Sequence, residues 1–325
     1  MSKSEHWTGQ KEAGGYNSVK FMFFLFKIFP MFLLRAIVFP VGFFYFIFSK
    51  KARIESGRFM DIIIPFIDDP KIVKKCKSRF SSLRHIISFA LSLIEKIQSW
   101  AGKFQLKRVN FQDDDINELK QELENGKGVF LIFSHLGNAE VLRGLLNLGQ
   151  TGVSRKIPFT AIMDLKISAN FTNMLNELNP EASMDIITAN DIGPHTAVIL
   201  EERLSEGGMV LVAGDRTSGI ETSSSLKIPF FGKEAPFSSG MFYMASISNA
   251  PIYFIFGLRK SELAFKPVYN MHVHKCNIDF TGSKKEKKEK SVKLANSFVN
   301  LLEDYCKKQP FQWYNFFNFW MDGKE

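Results

Sequence analysis

Cysteine is scarce in this chain. The 325 residues include 3 cysteines, Cys76, Cys276 and Cys306, which lie far apart and form no CxxC pair. This spacing argues against a disulfide framework and against a thiolate metal site. A reducing, cytoplasm-facing location agrees with such cysteine usage.

The sequence signatures of several common enzyme classes are also missing. No Walker loop, no GxGxxG fingerprint and no GxSxG elbow occurs. Nucleotide hydrolysis, dinucleotide-dependent redox chemistry and serine esterase chemistry therefore lack their usual evidence.

Acidic residues are absent from positions 13–54, where many of the 34 phenylalanines crowd together. The formal net charge of +9 favours polyanions in general, which include nucleic acid, anionic membranes and acidic carrier proteins. Nucleic acid is not an expected partner, because the basic residues cluster beside apolar segments and no nucleic-acid-binding module is recognisable. The pattern indicates a membrane surface instead.

The segment 19–48 is almost entirely apolar but is interrupted by Lys20, Lys27 and Arg35. Its longest uncharged run, 36–49, is 14 residues, which is shorter than the roughly 20 residues of a spanning helix. On a helix the three cations would form a stripe opposite a Phe-rich face. We predict helices that lie in an anionic membrane interface, or one short span. A helical hairpin buried in a soluble core is the alternative.

The remaining sequence alternates short apolar runs with stretches of helical length, which is typical of βαβ units. The fold class that this predicts is α/β, with a mostly parallel central sheet flanked by helices and preceded by the N-terminal hydrophobic segment. Helical periodicity is also visible from about Asp68 to Trp100 and near Asp113 to Asn125. The predicted strands are Gly128–Ser134, Ile157–Met163, Met184–Thr188, Gly208–Gly214, Pro251–Leu258 and Leu263–His274.

Three regions follow from this pattern. We expect membrane-associating helices over 1–55, a helical lead-in over 56–125 and an α/β catalytic core over 126–325.

The segment FSHLGNAE carries the reactive groups, because it lies where a predicted strand ends and a helix begins. His135 can act as a general base near neutral pH, and Glu140 can fold back to the imidazole. Such a pair has no serine of its own, so the nucleophile arrives with the substrate. Gly137 permits close backbone approach, and Asn138 can cap the helix or bind substrate.

The box HLGNAE resembles the HxGNWE-type box of the lipid A late acyltransferases, a branch of the lysophospholipid acyltransferase superfamily. The likeness runs from about residue 5 to the C-terminus and departs at Ala139, where the family has tryptophan. Three further boxes agree in order with the family: LVAGDRTSG at Leu211–Gly219, with its Asp-Arg motif; IPFFGKEAPFSSG at Ile228–Gly240, with its Pro-Phe-Phe-Gly loop leading into a helix; and QPFQWYNFFNFW at Gln309–Trp320.

This resemblance implies an O-acyltransferase in which His135 deprotonates a lipid hydroxyl as it attacks an acyl thioester, while Glu140 orients the imidazole. Acyl carrier protein is the expected donor and coenzyme A the alternative. The expected acceptor is a lipid A-like or other glycolipid. Lysophospholipid, aminolipid and pigment acceptors remain alternatives, and a non-catalytic lipid-binding protein of the membrane periphery is the alternative of another class.

The resemblance also implies further substrate contacts, a location and a set of partners. The location is the cytoplasmic face of the inner membrane, and no cofactor is expected beyond the thioester co-substrate. No metal is expected either, because His272 and His274 share a strand face without a visible third ligand. The implied substrate-binding residues are Gly137, Asn138, Asp215, Arg216, Phe231 and Gly232.

Overall fold

Helices and strands alternate along the chain, as expected for an α/β protein. The computed structural model describes residues 24–25, 28–100, 104–113, 115–138, 141, 153–155, 157–163, 185–188, 194–216 and 225–320. The helices are α1 Met31–Phe48, α2 Lys50–Ile63, α3 Pro70–Cys76, α4 Ser81–Trp100, α5 Asp115–Glu124, α6 Pro194–Ser205, α7 Ser239–Ile247 and α8 Lys284–Lys308. The strands are β1 Val109–Phe111, β2 Val129–Gly137, β3 Phe159–Met163, β4 Asp185–Thr188, β5 Met209–Ala213, β6 Ser225–Phe230, β7 Lys233–Ser238, β8 Ile252–Arg259 and β9 Tyr269–Lys275.

The central sheet has seven strands in the order β1-β9-β8-β2-β5-β3-β4. All neighbouring pairs in this order are parallel except β8 and β9, which form an antiparallel pair. Strand β8 is buried at every position, as expected for a strand that is covered on both faces. The predicted α/β class and the mostly parallel sheet are confirmed.

The structure adds elements that the sequence pattern did not reveal. Strand β1 has only three residues, and the predicted helix over Asp68–Trp100 is broken into α3 and α4. The Pro-Phe-Phe-Gly box spans the end of β6 and the turn of an antiparallel hairpin of β6 and β7, and this hairpin leads into helix α7 as the sequence predicted. Phe231 and Gly232 form this turn with φ values of 51° and 72°, the positive values that a tight hairpin turn requires.

Two hydrophobic layers cover the sheet. Helix α8 buries Leu294, Phe298 and Leu302 completely, at a spacing of four residues, so that one stripe of the helix faces the sheet. These residues share a core with Phe59 of α2 and with strands β2, β5 and β8. Ser283 and Glu286 form a capping box at the start of α8. The C-terminal segment that follows this long helix lies next to the carboxyl end of β2, where Trp313 pairs with Leu136.

Helix α1 packs against α4 with one face and exposes the other. Leu34 and Val38 lie in a small core with Leu91 and other residues of α4, whereas Phe44 and Phe48 are 59% and 80% exposed. By length and composition, α1 is the helix of the described part that is long and apolar enough to cross a membrane.

The sequence predicted that Arg35 would belong to a surface stripe of cations, and this prediction is wrong. Arg35 is 5% exposed, and its Nη2 donates to Oε1 of Gln98 in α4 at 2.6 Å. Its other expected partners in that stripe, Lys20 and Lys27, lie outside the described residues.

His85 of α4 joins three parts of the chain inside the core. Its ring is fully buried, with Nδ1 at 3.0 Å from the Ser56 hydroxyl and Nε2 at 2.9 Å from the carbonyl of Trp313. Burial lowers the pKa of His85 to about 4, although the bond to Trp313 acts in the opposite direction. The ring is therefore neutral, and Nε2–H donates to Trp313 while Nδ1 accepts from Ser56.

The depressed pKa of His85 predicts loss of stability in mild acid. Below pH 6.5 the unfolded chain binds a proton at this position, whereas the folded chain does so only near pH 4. The free energy of unfolding should therefore fall by about 3 kcal/mol as the pH drops from 6.5 to 4. In His85→Gln the decrease should be smaller by about this amount, while exposed His195→Gln should keep the full decrease. Denaturant unfolding across this pH range measures the slopes, and equal slopes in all three proteins would contradict the prediction.

Candidate active site

His135 and Asp215 meet because two parallel strands end side by side. Strands β2 and β5 pair in register, with Phe133 opposite Ala213. His135 and Asp215 each lie two residues beyond this pair, so both are placed at the carboxyl edge of the sheet. Ligands of open α/β sheets bind at this edge.

The Asp215 carboxylate binds His135 twice. Its Oδ1 lies 2.8 Å from the ring Nδ1, and its Oδ2 accepts the His135 backbone N–H at 2.8 Å. Asp215 is completely buried, whereas 38% of the His135 side chain remains exposed. The fixed side of the imidazole thus faces the protein, and part of the ring stays accessible.

The charges of the pair follow from its surroundings. Burial by itself raises the pKa of Asp215, but the attraction of His135 and Arg216 and the bonds from His135 outweigh it and lower that pKa to about 2. Burial and the positive charge of Arg216 lower the pKa of His135, against the opposing pull of Asp215. At neutral pH an ionised Asp215 therefore faces a neutral imidazole.

These charges decide the tautomer of His135. An ionised carboxylate can only accept, so the proton of the neutral ring lies on Nδ1. The Nε2 lone pair is then available, and in the described part of the chain Nε2 has no hydrogen-bond partner. In this arrangement Nε2 of His135 can act as a general base that accepts the proton of a hydroxyl group.

Trp313 completes the support of the pair. Its Nε1–H donates to Oδ2 of Asp215 at 3.1 Å, and the next residue, Tyr314, donates its backbone N–H to the His135 carbonyl at 3.1 Å. Since His85 binds the Trp313 backbone carbonyl, Trp313 is held both at its backbone and at its indole Nε1. Trp313 belongs to the box at Gln309–Trp320, but it was not predicted from the sequence as a residue of the site.

Arg216 lies beside the pair as expected from the sequence. Its Nη1 and Nη2 lie at 3.3 and 3.4 Å from the carbonyls of Asp215 and Tyr314, and the guanidinium lies 5.1 Å from the centre of the Phe317 ring. Its positive charge contributes to the lowered pKa of His135.

Gly137 and Asn138 shape the backbone after His135. Gly137 has φ +74°, and a Cβ there would lie 2.1 Å from the carbonyl oxygen of Gly257, so only glycine fits. The Asn138 side chain is buried and donates to the Ser92 carbonyl at 3.2 Å. In this structure both residues anchor the end of β2 to β8 and α4.

Phe231 and Gly232 are connected to the site through two aromatic side chains, Phe59 and Trp313. Phe231 is 2% exposed, its ring packs at 6.5 Å from that of Phe59, and Phe59 in turn packs against Trp313. The Phe231 backbone N–H donates to Oε2 of Glu303 at 2.9 Å. The hairpin therefore supports Trp313 from behind.

The other expected dyad member, Glu140, lies outside the described residues. In the described part, the residues that could hold a metal ion are Asp113, His272 and His274, which lie on and next to strands β9 and β1. Strand β8 separates these strands from β2.

Comparison with protein-family models identifies the family of the chain. Residues 13–321 match the family model described as bacterial lipid A biosynthesis acyltransferase. The chain belongs to this family. It is an acyltransferase of lipid biosynthesis, and its reaction transfers an acyl group to a lipid acceptor. No curated protein matches the chain. The resemblance found in the four sequence boxes is confirmed over nearly the whole length.

The position of Trp313 predicts a specific defect in this acyltransferase. Trp313→Phe keeps an aromatic ring but removes the donor to Asp215. The carboxylate then becomes more basic and raises the pKa of His135, so the acidic limb of kcat/KM against pH should move to higher pH. We expect kcat to fall roughly tenfold or more, the value of one hydrogen bond to a charged group.

Trp320→Phe is the matched control. Trp320 is also buried in the aromatic cluster, but its Nε1–H donates to the Phe230 carbonyl at 2.9 Å and not to Asp215. Equal losses in both variants with unshifted pH profiles would reduce Trp313 to a packing residue.

Proposed function

We propose that this protein transfers a fatty acyl chain from the thioester of an acyl carrier protein to a hydroxyl group of a lipid A-like glycolipid, with His135 as the general base. One observation carries the proposal. The buried, ionised Asp215 holds the proton of His135 on Nδ1, which leaves the Nε2 lone pair of a partly exposed side chain ready to accept a proton.

The reaction needs no covalent acyl-enzyme. Nε2 takes the proton of the acceptor hydroxyl as its oxygen attacks the thioester carbonyl carbon. The tetrahedral intermediate then collapses, the carbon–sulfur bond breaks, and the leaving thiolate receives the proton from His135. The imidazole returns to its neutral form, so His135 acts first as base and then as acid.

Arg216 is the group that we assign to the developing negative charge. Its guanidinium contacts the carbonyl of Tyr314, the residue whose backbone N–H binds the His135 carbonyl, so its charge lies on the side of the site where an oxyanion would form. Its contacts with two backbone carbonyls hold the guanidinium in a fixed orientation.

Two carboxylates are available to the dyad, and we assign them different tasks. Because Asp215 occupies Nδ1, it orients the imidazole and stabilises the imidazolium. Glu140, which the resemblance pairs with His135, is proposed to assist proton transfer during the reaction.

Three variants separate these roles. His135→Ala should abolish transfer from acylated carrier protein to a lipid A precursor, measured by mass spectrometry of the lipid product. Asp215→Asn should lower kcat by about 10²- to 10⁴-fold, because an amide can present the wrong partner to Nδ1. Glu140→Gln should lower kcat, because it removes a carboxylate that is proposed to assist proton transfer.

Other outcomes would revise the assignment. Wild-type turnover in His135→Ala would remove this residue from the chemistry. Near-normal activity in Asp215→Asn, together with complete loss in Glu140→Gln, would return the orienting role to Glu140.

The distribution of positive charge supports an acidic donor. Exposed cations crowd on and after the short helix α3, at Lys71, Lys74, Lys75, Lys77 and Arg79. The lysine-rich start of α8 is less suitable, because this 25-residue helix places it roughly 35 Å from the end that leads to Trp313. An acidic carrier protein docked near α3 would lie against the core that contains Trp313, because Ile72 and Val73 of α3 pack on that core.

The exposed face of α1 supports attachment to the cytoplasmic face of the inner membrane. It presents a row of apolar side chains to solvent: Phe32, Val41, Phe43, Phe44, Tyr45, Ile47 and Phe48. Apolar burial in the bilayer would hold the enzyme where its lipid acceptor lies, and the basic residues that begin α2 would add attraction to anionic lipids.

Charging this face should release the protein. We expect a Phe44→Glu/Phe48→Glu variant to lose sedimentation with anionic lipid vesicles in high salt, because apolar burial, unlike electrostatic attachment, resists screening. Val198→Glu/Ile199→Glu, which charges exposed apolar residues of α6, should sediment as the wild type does. Unchanged sedimentation of the first variant would place the anchor elsewhere.

A further inference from the structure

Strand β9 presents two histidines on one face. Met271 and Val273 point into the core and are completely or almost completely buried, so the alternating residues His272 and His274 face the opposite side. Their rings are nearly parallel, with an interplanar angle of 8° and centres 6.4 Å apart. This spacing brings two imidazoles to one place.

A carboxylate reaches the same place from the neighbouring strand. β1 pairs in parallel with β9, and the ladder continues past Phe111 with the bond from the Gln112 N–H to the Met271 carbonyl. Asp113, the next residue, accepts the Val273 backbone N–H at 3.2 Å, and its Oδ2 lies 3.1 Å from Nδ1 of His272. Backbone pairing therefore fixes the carboxylate beside the histidines.

We propose that Asp113, His272 and His274 form a binding site for a divalent first-row transition metal, with zinc as the representative ion. One ligand atom of each residue lies within 4.8 Å of those of the other two. Two imidazole nitrogens and one carboxylate oxygen are a common donor set for zinc, and they leave a fourth position for water.

The distances fit such an ion with little rearrangement. Ligands at 2.0–2.2 Å in a tetrahedron lie about 3.3 Å apart, close to the 3.1 Å between Asp113 and His272. The widest separation, up to 4.8 Å, closes by side-chain rotation. The Tyr305 hydroxyl, which lies 2.7 Å from Nε2 of His274, would exchange that contact for one with the metal or its water.

Charge and donor type select among metals. One carboxylate with two neutral nitrogen donors suits zinc, cobalt or nickel rather than magnesium or calcium, which prefer oxygen ligands. Lys308 lies 5.3 Å from the Tyr305 ring centre and opposes a cation. Lys308 is, however, the last residue of α8, and the unpaired carbonyl groups at the carboxyl end of a helix attract cations.

The site is independent of the proposed acyl transfer chemistry. Strand β8 separates β9 from β2, so His135 is not a member of the cluster. A bound ion would connect the three-residue edge strand β1 to β9 and, through Tyr305, to α8. Because only the folded chain brings these ligands together, binding should stabilise the fold.

Metal titration of the purified full-length protein tests the proposal. Chelator-treated protein is titrated with Co²⁺ and followed by its visible absorption, and Zn²⁺ is then added as competitor. We expect one equivalent of tetrahedral Co²⁺ that Zn²⁺ displaces, and a Tm that rises with Zn²⁺. His272→Gln and His274→Gln should each weaken binding at least tenfold, whereas His195→Gln, which changes an exposed histidine, should bind as the wild type does.

The variants must keep the fold for this comparison, so each must show the wild-type circular dichroism spectrum and a cooperative unfolding transition without metal. If His272→Gln unfolds, His274→Gln carries the test, because His274 lies outside the Asp113 pair. Absence of a one-to-one Co²⁺ spectrum, or its persistence in both glutamine variants, would overturn the proposal and leave a hydrogen-bonded cluster only.

Discussion

A buried carboxylate organises the catalytic edge of this protein. Asp215 is ionised and has no access to water, and an ion in such a place is stable only if donors surround it. The donors are the backbone and ring of His135 and the indole of Trp313. The Asp215 carboxylate, at the end of β5, thus holds the end of β2 and the C-terminal segment next to each other.

The same carboxylate is coupled to the N-terminal helices. Trp313 stands between Asp215 and His85, and His85 belongs to α4, on which α1 packs. Arg35 and Gln98 join α1 to α4 by a buried hydrogen bond. Helix α1, with its exposed apolar side chains, and the His135–Asp215 pair are therefore parts of one packed scaffold, which suits an enzyme with a lipid acceptor.

Much of the fold was predictable because its main strands are long apolar runs, and burial on both faces demands such runs. The missed elements are the short or mixed ones. β1 is too brief to show a period, and the β6–β7 hairpin carries prolines and exposed lysines that hide its alternation. The expected surface stripe failed at Arg35, since a buried partner such as Gln98 is invisible to a helical projection.

The sequence by itself determined that His135 lies at a strand end with a nearby acid, that Asp215 and Arg216 follow another strand, and that the chain is an acyltransferase by its four boxes. Only the tertiary structure decided that Asp215, 80 residues away, holds the imidazole, that Trp313 holds Asp215, and that Asp113 joins His272 and His274. The reason is physical. Contacts between strands depend on sheet order and register, which arise from packing of the whole chain, whereas local spacing reveals only neighbours along one element.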